Sequence, residues 1–180
     1  MHPQTLSPEE LRSEKEKLAD FFRAKQGENG VSIDGLLFQT STNLSTGFLP
    51  TACDVLFGSE FVHEKLLGLQ FRISPQAFFQ SNTPAAEVLY RTIQEFCGPL
   101  DQESTTVLDL CCGTGTIGLS LASQVRRVVG IELNEDAVKD AIVNAKLNSA
   151  FVLGASSLTL TYTSRFGECG IHCSPSSRRH

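Results

Sequence analysis

The chain has 180 residues, of which 41% are hydrophobic, and it carries a formal net charge of −5 at pH 7. Its length and apolar content are sufficient for one sizeable core, or for one domain and part of another. The net charge is negative and the sequence has no Lys/Arg cluster. The sequence therefore shows no basic face of the kind that binds nucleic-acid phosphates.

The absence of a recognisable targeting signal and the scattered cysteines predict an intracellular protein. No apolar run approaches the roughly 18 residues of a membrane helix. The first residues show neither a secretory signal nor an Arg-rich transit pattern. The six cysteines are scattered along the chain and are interpreted as reduced thiols. We therefore expect no membrane partner, and the cytoplasm and the mitochondrion both remain open as locations.

The first predicted element is a helix that begins after Ser7. Ser7 is a favourable N-cap residue, Pro8 suits the first helical position, and Glu10 completes a capping box. The helix is expected to end before the glycines at positions 27 and 30.

Short β-strands are predicted in the region that follows, between residues 31 and 73. The candidates are residues 35–39, 54–57, 60–63 and 69–73, with a loop at 47–50. The last candidate alternates apolar and polar side chains, as a half-buried strand does.

A compact aromatic and polar segment, residues 76–83, precedes a second helix that starts near Pro84. The apolar spacing predicts that this helix buries Val88 or Leu89, Ile93 and Phe96. Gln80, just before the helix, could bind a ligand or cap the loop, and the local sequence alone favours the cap.

The most informative stretch is VLDLCCGTGTIGL at residues 107–119, an apolar strand followed by a glycine-rich turn and a helix. Its glycines fit the pattern G-x-G-x-x-G, which would allow NAD as well as S-adenosylmethionine. However, Asp109 closes the apolar run, and three residues separate it from the first glycine. A carboxylate there favours a methyl donor, whose methionine end is positively charged, over a dinucleotide with its pyrophosphate. A purely structural α/β unit, in which Asp109 and Glu132 cap helices, is the alternative.

A second apolar strand, residues 127–131, ends at Glu132. Glu132 lies 19 residues after Gly113, close to the spacing of about 20 at which an acidic residue accepts hydrogen bonds from ribose hydroxyls. Asn134 or Glu135 then starts another helix, which gives a β-α-β-α order for residues 105–148.

Three motifs together resemble the RNA uracil-5-methyltransferase family, in particular its animal tRNA members. They are FRISPQAFFQSNT at residues 71–83, DLCCGTGT at 109–116 and VVGIELNEDAVKDAIVNAKLN at 128–148. The resemblance covers most of residues 5–148. It implies that Gln80 contacts S-adenosylmethionine, that the turn at 113–116 wraps its methionine part, and that Glu132 binds its ribose.

The resemblance also implies a covalent mechanism, in which a cysteine thiolate adds to carbon 6 of uracil and a carboxylate removes the proton from carbon 5. The family carries these groups in a Ser-Cys-Asn motif, preceded by an Asp-Pro-Pro-Arg-like motif, and in a late Glu. None of these occurs in the 180 residues. We therefore assign no catalytic residue and expect this chain to be inactive. The alternative is a non-catalytic fragment that acts as a binding module.

The sequence departs from the family pattern after Asn148. Residues 149–180 are rich in Ser and Thr and show no helical period, so they are predicted to form a disordered tail. A metal cluster of Cys169, His172 and Cys173 is the alternative, but it lacks the second pair of ligands that a zinc site usually has. No metal is therefore expected.

The predicted fold class is α/β, with an incomplete Rossmann-like class I S-adenosylmethionine-dependent methyltransferase domain preceded by a small α+β segment. The predicted parts are residues 1–99 for the α+β segment, 100–148 for the N-terminal half of the methyltransferase domain, and 149–180 for the tail. With S-adenosylmethionine as cofactor, the predicted binding residues are Gln80, Cys111, Gly113, Gly115, Thr116 and Glu132. The expected partner of the family is tRNA, and the chain is expected to be a monomer.

Overall fold

The computed structural model describes residues 6–30, 32–40, 53–155 and 159–163. The chain divides into two compact units. The first comprises Met1–His63 and Arg72–Ala77, and the second comprises Glu64–Phe71 and Phe78–His180. The predicted loop at 47–50 and the cysteines and histidine of the alternative metal cluster lie outside the described residues. Within the described ranges, no helix has both the length and the apolar character needed to cross a membrane.

In the first unit, helix α1 (Pro8–Ala24) begins as predicted. The Ser7 hydroxyl accepts a hydrogen bond from the Glu10 backbone N–H at 3.3 Å, and the Glu10 carboxylate accepts one from the Ser7 N–H at 2.8 Å. These two bonds confirm the capping box. Strands β1 (Gly35–Phe38) and β2 (Asp54–Gly58) pair in antiparallel fashion close to their predicted positions.

Strands β3 (Val62–Leu66) and β4 (Leu69–Ile73) form a two-stranded sheet. The two residues between them, Leu67 and Gly68, both have positive φ, at 51° and 79°. This conformation is typical of the tight turns that join antiparallel strands. Strand β3 starts two residues later than predicted, because the chain first bends at Glu60 and Phe61. The Ser59 hydroxyl accepts a hydrogen bond from the Phe61 N–H across this bend.

Helix α2 (Thr83–Phe96) is capped by the side chain of Asn82. The prediction of its buried face was wrong for Val88, Leu89 and Phe96, whereas Ile93 is half-buried. Ala86 and Tyr90 are buried, whereas Val88, Leu89 and Phe96 are exposed, Phe96 to 85%. Both sides of this helix carry apolar residues, so periodicity alone could not select the buried one. The Tyr90 hydroxyl finds a partner in the Thr116 hydroxyl at 3.2 Å, which allows the aromatic ring to be buried.

The main sheet has the order β5-β6-β8-β7 and belongs to the second unit. Its elements are β5 (Thr106–Leu110), α3 (Thr116–Leu121), β6 (Arg127–Ile131), α4 (Glu135–Leu147), β7 (Phe151–Ala155) and β8 (Thr159–Thr163). Strands β5 and β6 are parallel, whereas β8 is antiparallel to both β6 and β7. The β5-α3-β6-α4 unit confirms the predicted incomplete Rossmann-like α/β fold.

The prediction of a disordered tail after Asn148 was wrong for the part that the structure describes. Strands β7 and β8 form a hairpin that extends the sheet beyond β6, and Leu160 and Tyr162 on β8 are each 1% exposed. The sequence TLTYT of β8 alternates β-branched polar residues with large ones, a pattern typical of strands. The high Ser and Thr content of residues 149–180 suggested disorder, and the alternation within β8 was overlooked for that reason. Residues 164–180 lie outside the described residues.

Candidate functional site

The turn between β5 and α3 depends on left-handed backbone conformations. Gly113 and Gly115 have φ values of 55° and 83°, which glycine adopts without a steric penalty. A Cβ at Gly115 would lie 3.3 Å from the Cβ of Ala141, so this glycine also lets the turn approach α4 closely. Cys111, at φ 59°, adopts the same region and is exposed. A cysteine rarely does so, which marks the start of the turn as strained.

Glu132 connects this turn to the beginning of α4. Its Oε2 accepts a hydrogen bond from the Gly113 N–H and its Oε1 accepts one from the Asn134 N–H, both at 2.9 Å. The structure therefore brings Glu132 and Gly113 together. Each carboxylate oxygen has a second lone pair, so two acceptor positions remain for a ligand.

Asp109 holds the start of α3, as the structural alternative in the sequence analysis expected. Its carboxylate is buried and accepts a hydrogen bond from the Gly118 N–H of α3 at 2.9 Å. Its attraction for the methionine end of a cofactor stays a prediction. Burial raises its pKa above the ordinary value of 3.8, and the negative charge of Glu132 adds to this effect, while the bond from Gly118 opposes it.

Cys112 is a packing residue. It is buried, and its sulfur would lie 2.8 Å from a Cβ at Gly130, so the glycine on β6 makes room for it. Burial raises the pKa of its thiol to about 12, and the charges of Asp109 and Glu132 act in the same direction. The thiol is therefore protonated at neutral pH and is a poor nucleophile. In the described part of the chain, no three His, Cys, Asp or Glu side chains form a metal-binding group.

The remaining predicted residues lie apart from this hydrogen-bond network. The hydroxyl of Thr116 is engaged with Tyr90. Gln80 is half-buried in the segment before α2, and its side chain makes no hydrogen bond with the described residues. Its role as a cofactor ligand stays a prediction.

Two residues that support the turn were missed at the sequence level. Asn144 is fully buried and its side-chain amide donates to the Thr114 carbonyl at 3.0 Å. A polar residue on the otherwise alanine-rich buried side of α4 was the available signal. Tyr162 is the second residue. Its hydroxyl oxygen would lie 2.3 Å from a Cβ at Gly118, and no local signal indicated that β8 would place it there.

Comparisons with known proteins relate most of the chain to one family. A family model described as a methyltransferase domain matches residues 101–154. The human tRNA (uracil-5-)-methyltransferase homolog A is 54% identical over 152 residues. Homolog B is 45% identical over 148 residues in Danio rerio and 48% identical over 147 residues in Homo sapiens. The crystal structure of Pyrococcus abyssi tRNA (uracil-54, C5)-methyltransferase with S-adenosyl-L-homocysteine aligns at 29% identity and a TM-score of 0.49, over 69% of this chain and 30% of that one.

The matches to homologs A and B cover 82% of this chain but only 23% to 30% of the relatives. The chain therefore spans less than a third of the length of these proteins. The family model includes the glycine turn and Glu132, which are the residues that the geometry joins. Over the part that aligns, the chain belongs to the family of the tRNA (uracil-5-)-methyltransferase homologs.

Proposed function

We propose that this chain binds S-adenosylmethionine at the turn after β5, with Glu132 as the ligand of the adenosine ribose. The observation that carries the proposal is the position of the Glu132 carboxylate, which two backbone N–H groups at 2.9 Å hold in one orientation. A fixed carboxylate with two remaining acceptor positions suits a pair of neighbouring hydroxyls. Because its orientation is already set, little side-chain entropy is lost when a ligand binds.

The turn itself fits a ligand that lies against the backbone. A Cβ at Gly113 would meet no atom of the described residues within 4 Å, so the space beside this glycine is open. In our proposal Gly113, Gly115 and the exposed Cys111 line the methionine part of the cofactor. Thr116 contributes its backbone, since Tyr90 occupies its hydroxyl. The amide of Gln80 is available to a ligand, and the cofactor, when bound, supplies an activated methyl group.

Calorimetry with S-adenosylhomocysteine tests this site on the 180-residue chain. Glu132→Gln should weaken binding tenfold or more. The amide has one acceptor oxygen instead of two, and charge-assisted bonds contribute about 1.5–3 kcal/mol each against about 1.4 kcal/mol per decade of affinity. Glu135→Gln is the matched control, because Glu135 lies three residues away in the first turn of α4 and is exposed. Equal affinities of the wild type and Glu132→Gln would remove Glu132 from the site.

We further propose that the reaction of the whole proteins is methylation of carbon 5 of uridine in tRNA, as the names of the relatives state for those proteins, and that this chain carries the cofactor-binding part. The second candidate function, a binding module without turnover, is favoured for the chain alone. Cys112 beside the cofactor turn is a protonated, buried thiol. The Ser-Cys-Asn and Asp-Pro-Pro-Arg motifs are not among the 180 residues. Without a thiolate at carbon 6 the uracil ring is not activated.

A tritium-release assay with tRNA that contains 5-tritiated uridine separates the two candidates. We expect no release above background from this chain, because the Ser-Cys-Asn motif that carries the family's nucleophile is not among its 180 residues. A covalent complex with 5-fluorouridine RNA should also fail to form. Turnover that is abolished by Cys111→Ala would show that the exposed cysteine of the turn supplies the nucleophile, and it would contradict the binding-module proposal.

A further inference from the structure

Two hydrogen bonds join helices α2 and α3 within the second unit. The Tyr90 and Thr116 hydroxyls lie 3.2 Å apart, and the Gln94 side-chain amide donates to the Ser120 carbonyl at 2.7 Å. On each helix the two contact residues are four positions apart and therefore lie on one face. The contacts follow the same order along both helices, so the helices run in the same direction. The first contact lies beside the glycine turn, and the second lies about one helical turn farther along.

The glycine turn before α3 needs support from other elements. Gly115 is the N-cap residue of α3 and has no side chain with which to cap the helix. Cys111 adopts a left-handed φ of 59°, which costs free energy for a residue that carries a Cβ. Bonds from other elements must offset this cost if the turn is to keep one conformation.

Tyr90 supplies such a bond from a rigid position. Its side chain is buried on α2, and its hydroxyl reaches Thr116, the first residue of α3. A buried aromatic ring in a close-packed interior has few other orientations, so the hydroxyl is a fixed partner. Thr116 follows Gly115 directly in the chain. A bond to Thr116 therefore restrains the end of the turn.

We propose that Tyr90 is a positioning residue of the cofactor site: its hydroxyl holds Thr116 and thereby keeps the glycine turn in the conformation that receives S-adenosylmethionine. This role rests on the proposed function, in which the methionine part of the cofactor lies against the turn. When the bond is lost, the chain populates other turn conformations, and the apparent affinity falls with the fraction that can still bind. The bond between Gln94 and Ser120 joins the same helices away from the turn, so its loss should not change this fraction.

Calorimetry with S-adenosylhomocysteine tests this role on the 180-residue chain. Tyr90→Phe keeps the buried ring and removes only the oxygen, and it should weaken binding about threefold to tenfold, the range that one neutral hydrogen bond allows. Thr116→Val should weaken binding to the same extent, whereas Thr116→Ser, which keeps a hydroxyl, should bind as the wild type does. The double variant of Tyr90→Phe and Thr116→Val should bind no more weakly than either single variant, because both substitutions remove the same bond. Gln94→Leu is the matched control and should keep the wild-type affinity.

Amide hydrogen exchange of the free chain, followed by nuclear magnetic resonance, gives a measurement that needs no ligand. The Gly115 N–H donates to the Cys112 carbonyl at 2.9 Å inside the turn. In Tyr90→Phe this N–H should exchange about threefold to tenfold faster than in the wild type. The Ala150 N–H, which is hydrogen-bonded just after α4, should exchange as in the wild type and thus exclude a general loss of stability. Gln94→Leu should leave the exchange of the Gly115 N–H unchanged.

Circular dichroism and thermal unfolding establish that each variant is folded, and Thr116→Val removes the same bond from the other partner if Tyr90→Phe does not fold. Equal affinities of the wild type and Tyr90→Phe, with weaker binding by Glu132→Gln, would overturn the role of Tyr90 and leave the proposed function in place. Equal losses in Tyr90→Phe and Gln94→Leu would also overturn it, because the hydroxyl would then only hold two helices together. If the wild type binds no S-adenosylhomocysteine, the proposed function is wrong, and the exchange of the Gly115 N–H alone decides whether Tyr90 holds the turn.

Discussion

Tyr162→Ala should lower the free energy of unfolding by about 3–5 kcal/mol, the usual cost of truncating a large buried aromatic side chain. Tyr162 is 1% exposed and lies on β8, the strand between β6 and β7. Its removal loses the transfer free energy of the ring and leaves a cavity among rigid elements. Domains of this size are stable by only about 5–15 kcal/mol, so the variant should be close to unfolding at 37 °C.

Chemical denaturation followed by far-ultraviolet circular dichroism measures this effect. Thr161→Ala is the matched control, because Thr161 is the neighbour on the same strand, is only half-buried and lies on the opposite face. It should change the unfolding free energy by less than about 1 kcal/mol. Equal denaturation midpoints for Tyr162→Ala and Thr161→Ala would mean that β8 does not contribute to the core.

Local sequence signals predicted those elements whose boundaries depend on neighbouring residues. The capping box at Ser7 and Glu10 is formed within one helical turn, and strand β6 was predicted with its observed bounds. The spacing of 19 residues between Gly113 and Glu132 also had a physical basis. The carboxyl ends of adjacent parallel strands meet at one edge of a sheet, which brings these two residues together.

The features that the sequence did not predict depend on contacts between elements that are distant in sequence. Helix α2 carries apolar residues on both sides, and only the partner available to Tyr90 on α3 determines the buried one. The bond from the Gly118 N–H to Asp109 joins a strand to a helix, and the sequence could not decide between this capping role and an electrostatic one. Strand β8 was missed because its alternation has meaning only when β6 offers an edge on which it can pair. Each of these outcomes is a tertiary effect that overrides local composition.

Gly118→Ala should destabilise the protein by about 1–3 kcal/mol, although alanine alone would favour a helix over glycine by about 1 kcal/mol. A Cβ at this position would lie 2.3 Å from the Tyr162 hydroxyl oxygen and 2.8 Å from Cγ1 of Val128. It would also lie 3.0 Å from Oδ2 of Asp109, the oxygen that accepts the Gly118 N–H. Three buried neighbours would have to move, and the crowding therefore outweighs the gain in helix propensity.

Combining Gly118→Ala with Tyr162→Phe tests this explanation, because phenylalanine removes the oxygen that makes the shortest contact. The double variant should be more stable than the sum of the two single effects predicts, with a coupling of about 0.5–3 kcal/mol in a double-mutant cycle. Gly154→Ala is the control for a general effect of adding a methyl group, since a Cβ there meets no described atom within 4 Å. Additive effects of the two substitutions would mean that α3 shifts away from β8 and that the crowding at Gly118 is relieved without Tyr162.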